Sequence, residues 1–116
     1  MRLSCHLYFR SDGTLGHYPV ITLDERGVII SLEESDRMAE VAHTRFYCGV
    51  LVPEVDIDAL RWGSREIFCQ SLREILEGHP ERQIAVGNSP GLLLLSGFDL
   101  NEFSLNNRSL IVNKVG

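Results

Sequence analysis

Hydrophobic and polar positions along the chain change period several times, and each change marks an element. Residues 2–9 alternate: Leu3, Cys5, Leu7 and Phe9 fall on one face, and Ser4, His6 and Tyr8 on the other, with Arg10 following. A period of two predicts a half-buried strand, and Ser11-Asp12-Gly13 ends it with turn residues. Two β-branched runs, 20–23 and 28–32, flank Asp24-Glu25-Arg26-Gly27. A four-residue loop closing on glycine predicts a hairpin, because glycine takes a positive φ without steric cost. Residues 33–44 are polar and acidic and read as a loop or a short exposed helix. Residues 46–52 form the next strand, ended by Pro53.

Helical spacing occurs over 56–77. Leu60, Ile67, Phe68, Leu72, Ile75 and Leu76 fall near one stripe. Gly63-Ser64 interrupts it, so the stretch reads as one helix or as two, with Ser64 capping the second. Gly78 and Pro80 stop it. Short strands follow at 83–86, 92–95 and 109–113, separated by turns at 88–91 and 96–97. The pattern predicts one mainly β (α+β) domain over 1–116. N-terminal strands (1–53) and C-terminal strands (83–116) build a small β-sandwich, with one helical insert (54–82).

Composition sharpens this. At 116 residues with 44% hydrophobic content the chain can bury a core, roughly two-thirds of its unfolded surface. It cannot hold a (β/α)₈ barrel, which needs about 250 residues. Eleven basic against 16 acidic residues give a net charge of −5, so no nucleic-acid partner and no anionic membrane surface is expected. Residues 1–6 carry no long apolar run, and neither a secretory signal nor a membrane span is predicted. Three cysteines cannot all pair within one chain and fit reduced thiols in a cytoplasm.

Two segments are similar to the composite β-sandwich domain of amidohydrolase-type metal-dependent hydrolases. Residues 18–29, Tyr-Pro-Val-Ile-Thr-Leu-Asp-Glu-Arg-Gly-Val-Ile, resemble that family's N-terminal hairpin. Gly49-Val50-Leu51-Val52-Pro53 resembles the crossing from the small domain into the catalytic barrel. Residues 90–100, Pro-Gly-Leu-Leu-Leu-Leu-Ser-Gly-Phe-Asp-Leu, look like the strands that return after the barrel. In the family, Gly-Phe, an Asn or Asp, and a metal-binding His-x-His pair follow the crossing. Here the chain continues Glu54-Val55-Asp56-Ile57-Asp58-Ala59-Leu60. The resemblance implies the family's fold without its barrel or its metal pair.

The residues that could carry chemistry do not form a constellation along the chain. His6, His17, His43 and His79 have no metal-ligand spacing. Asp56 and Asp58 read either as a remnant carboxylate pair for a cation or as an acidic helix start, the second being favourable at the positive end of the dipole. Cys5, Cys48 and Cys69 each lie among apolar neighbours and read as core. Cys5 and His6 are adjacent in a strand and point to opposite faces, so they form no dyad. Asn88-Ser89-Pro90-Gly91 reads as a turn, since no lysine follows it. No catalytic, cofactor-binding or metal residues and no cofactor are expected.

The expected function is therefore that of a non-catalytic structural or protein-interaction module. It acts as a homodimer or with a protein partner, with Trp62, Leu60 and Phe68 as the interface residues. The alternatives are a related hydrolase whose site a partner completes, and a small-ligand module with a pocket between helix and sheet.

Overall fold

A computed structural model describes residues 1–36, 43–104 and 110–115. Seven strands and one α-helix make up the described chain: β1 (Arg2–Phe9), β2 (Leu15–His17), β3 (Pro19–Leu23), β4 (Ile29–Glu34), β5 (Thr44–Pro53), α1 (Arg65–Leu76), β6 (Leu92–Ser96) and β7 (Ile111–Val115). Single 3₁₀ turns lie at Ile57–Ala59 and Pro80–Arg82. The strands expected to build a sandwich belong to one mixed sheet, in the order β4-β3-β1-β5-β6-β7, with β2 also pairing with β1.

Local chemistry explains the elements that formed as expected. In the β3–β4 hairpin the Asp24 carboxylate accepts from the backbone N–H groups of Arg26 (2.8 Å) and Val28 (2.9 Å). Gly27 closes the turn at φ 82°. The helical stretch divides at Gly63-Ser64. Asp56 caps the first 3₁₀ turn by accepting from the Asp58 N–H at 3.1 Å, which gives that carboxylate a helix-start role. The Ser64 hydroxyl accepts from the Ile67 N–H at 3.1 Å and opens α1. Gly78, at φ 79°, follows the helix end.

Two apolar cores lie on the two faces of the sheet. Phe68, Cys69, Leu72 and Leu76 of α1 pack on Val50 and Val52 of β5 and on Leu93 and Leu95 of β6. The intervening residues Leu51, Leu92 and Leu94 join Leu3, Cys5, Ile21, Leu23, Ile29 and Val115 in the second core. Residues of the edge strands β4 and β7 both belong to this second core. The segment before β6 is tied to the start of β4: the Ile29 N–H donates to Asn88 O at 2.9 Å, and the Gly87 N–H to Ile29 O at 2.8 Å. Ile84 plugs the same core with 1% of its surface exposed.

Several expectations change. Residues 83–86 form no strand. They make a compact loop held by the Asn88 amide, which donates to Pro80 O (2.8 Å) and Gln83 O (3.0 Å). Ile67 is 43% exposed and leaves the helical stripe. Cys48 is exposed rather than core. Of the expected loop at 33–44, Glu33 and Glu34 belong to β4 and Thr44 to β5, residues 35, 36 and 43 lie outside the strands as expected, and 37–42 fall outside the described residues, as does Ser109 of the last expected strand.

The alternation of β1 also fails. Leu3, Cys5 and Tyr8 lie in one core, and Leu7 and Phe9 in the other. The strand changes face between Cys5 and Leu7, where its parallel partner β5 falls out of register: Cys5 pairs with Tyr47 but Leu7 with Val50. His6 of β1 therefore opposes both Cys48 and Gly49 of β5, a β-bulge.

Candidate functional site

His6 sits at that register break and joins three strands. Its Nδ1 accepts from the Gly49 N–H at 3.1 Å, and its carbonyl oxygen accepts from the Tyr18 N–H at 3.0 Å. Tyr18, between β2 and β3, has φ 43°, and Gly49 has φ 138°. The imidazole meets Phe46 edge-on, with centroids 5.2 Å apart, and Tyr18 at 6.3 Å. Strained backbone of this kind gathers where a fold is over-determined and is a reason to look for chemistry.

The hydrogen bond limits what His6 can do. An acceptor at Nδ1 requires the tautomer with its proton on Nε2. The imidazole then has no free lone pair for a general base, although exposed Cys48 is next to Gly49 in the chain. The arrangement fixes a bend in the sheet and supplies no nucleophile–base pair.

A second region is a cleft of about 710 Å³ between the turn after β1, the C-terminal half of α1 and the loop leading to β6. Asp12, Arg73, Glu74, Glu77, His79 and Gln83 are among its walls. Its charges are largely engaged within the chain. Arg73 donates to Gly13 O at 2.8 Å, Glu74 pairs with Arg61 at 3.0 Å, and His79 lies 3.3 Å from Glu81. Gln83 Oε1 is buried without a hydrogen-bond partner. The walls carry both signs of charge and suit a small polar molecule. The His79–Glu81 contact is exposed to solvent.

The residues expected at an interface lie mostly inside. Phe68 is fully buried and Leu60 is 6% exposed. Trp62 is half-buried and lies tilted against Phe68 at 5.0 Å and edge-on to Phe98 at 4.8 Å, with Phe103 completing the aromatic cluster. Leu60 and Phe68 thus have almost no surface left for a partner, because α1 turns them onto the chain's own sheet. The space between helix and sheet holds this core.

His6, His17, His43 and His79 lie on β1, on β2, before β5 and after α1. Among the described residues no group of three or more His, Cys, Asp or Glu side chains could hold a metal ion. No described helix is long and apolar enough to cross a membrane.

Large exposed apolar side chains stand at the rims of the sheet: Ile30 (55%) on β4, and Ile111 (50%) and Val112 (39%) on β7. Periodicity assigned these positions to strands, but whether a strand is central or at an edge is a property of sheet order. Comparison with protein-family models, with curated proteins and with solved structures gave no match.

Proposed function

We propose that the chain is a non-catalytic structural or protein-interaction module, a stand-alone domain of the amidohydrolase composite type that acts as a homodimer in a cytoplasm. One observation carries the reading. β5, the strand that resembles the crossing into a barrel, pairs with N-terminal β1 on one side and C-terminal β6 on the other. The two resembling segments therefore meet without anything between them but the short helical insert, whose helix covers one face. The second core, shared by residues of β1, β3, β4, β5, β6 and β7, is the counterpart of the family's sandwich core in this reading. The exposed apolar rim supplies the surface for a partner.

Metal analysis and sedimentation of the native protein test this. The reading requires a mass of twice 13.1 kDa and no stoichiometric zinc or iron. Metal bound by protein residues at one equivalent overturns it in favour of the hydrolase alternative. The cleft beside Arg73 favours the second alternative, a small-ligand module, which requires a polar metabolite to raise the melting temperature and Arg73→Ala to abolish that rise.

A further inference from the structure

Resting on the interaction-module reading, we infer that β7 pairs antiparallel with β7 of a second copy, about a two-fold axis through Asn113. The two edges of the sheet differ. On β4, Ile29 is already bonded in both directions by the loop at 87–88, so that edge is covered where it begins. β7 bonds to β6 on one side, and among the described residues nothing pairs with its outer side. An open edge with exposed Ile111 and Val112 is a template for another strand. An edge open along its described length, against one whose first residue is already bonded, favours a closed pair over a filament.

The sequence of β7 fits itself. Opposed residues must share a face, so only registers with an even sum are allowed. Centring on Asn113 pairs all five residues of the strand. On the face shared with Val115, exposed Ile111 then lies opposite Val115 of the partner subunit, an apolar pair made twice by symmetry. On the other face Val112 lies along the apolar stem of Lys114 of the partner subunit. Centring on Lys114 would instead oppose two like charges. Each Lys114 keeps Glu54 of its own chain at 3.5 Å, which compensates the charge brought to the axis. The two sheets become one, with both α1 helices on the same side.

Two variants test the register in full-length protein. Asn113→Cys, made with Cys48→Ser, places two thiols across the axis at the about 4.5–5.5 Å Cα spacing of opposed residues, within disulfide reach. It should give a covalent dimer in a glutathione buffer, and Ile30→Cys on β4 should not. Ile111→Lys should raise the dimer dissociation constant by roughly tenfold or more. If it fails to fold, the cysteine pair still decides. A dimer that neither cross-links at Asn113 nor weakens with Ile111→Lys overturns the inference and leaves the module reading standing. A monomer at every concentration overturns both the inference and the homodimer, and the metal analysis then judges the non-catalytic reading alone.

Discussion

The Gly49 N–H donates to Nδ1 of His6 at 3.1 Å across the point where two parallel strands lose register. That bond ties the bulge of β5 to the change of face in β1. A Cβ at Gly49 would collide with the carbonyl oxygen of Leu95, and φ 138° is poorly accessible to any residue with a side chain. Gly49→Ala is expected to cost about 3 kcal/mol, measured as a lowered urea midpoint with an unchanged slope. His6→Ala leaves the Gly49 N–H without its acceptor and should cost about 1–3 kcal/mol. An effect below a few tenths of a kcal/mol for either variant would refute this account of the bulge.

Ser64 is the N-cap that starts α1 after the break at Gly63. Ser64→Ala removes the acceptor for the Ile67 N–H and should lower stability by about 1 kcal/mol, whereas Ser64→Asp should preserve it. Thermal melts of the two variants give the comparison. Equal melting points would show that packing of Phe68 and Leu72 alone sets the helix start.

Glu34 accepts from Tyr8 Oη at 2.9 Å and from Arg10 Nε at 3.0 Å. The Arg10 guanidinium, followed by the Tyr8 hydroxyl, holds its carboxyl below the usual carboxylate range. A depressed folded value contributes stability that is present above the ordinary carboxylate pKa and is lost as pH falls through the folded value. Both side chains are about a third exposed, so the effect is modest and salt-sensitive. Denaturation midpoints from pH 7 to 3 should fall less steeply in Glu34→Gln. An identical slope would show that the cluster contributes nothing.

Burial pushes the Cys5 thiol up to about 12 from 9.0. Burial, with the Glu34 carboxylate adding, pushes the Tyr8 hydroxyl up to about 12 from 10.0. These raised values favour the fold below the ordinary pKa and lose that contribution as pH climbs toward 12. Cys5→Ala should be less stable at neutral pH yet show a flatter decline between pH 9 and 12.

The three thiols should also separate by access. Cys48 is exposed, and Cys5 and Cys69 are buried. Ellman's reagent should titrate one thiol in native protein and three in guanidinium. More than one fast native thiol would contradict the packing of α1 or of β1.

What could be read from the chain is what neighbours in sequence decide. The Asp24–Gly27 hairpin turn, the Ser64 cap and the stop at Gly78 each rest on bonds spanning a few residues. Their residue types report them directly. The stripe of Phe68, Leu72 and Leu76 is likewise set by helix geometry. Cys48, by contrast, reads as core from its apolar neighbours. It is exposed because it lies on the outer half of β5, while α1 covers Val50 and Val52.

The sequence alone determined a mainly β chain with one capped helix and no metal-ligand spacing, because period and turn chemistry are local. Tertiary structure decided the rest. It placed β5 between the N- and C-terminal strands, moved Leu7 to the face opposite Leu3, and left β7 at the edge of the described sheet. Those outcomes depend on which distant strands pair and on the register break beside His6. There Cys5 and Leu7 fall on opposite faces of β1 while Tyr47 and Leu51 stay on one face of β5, and alternation within a strand cannot report how its neighbours pair.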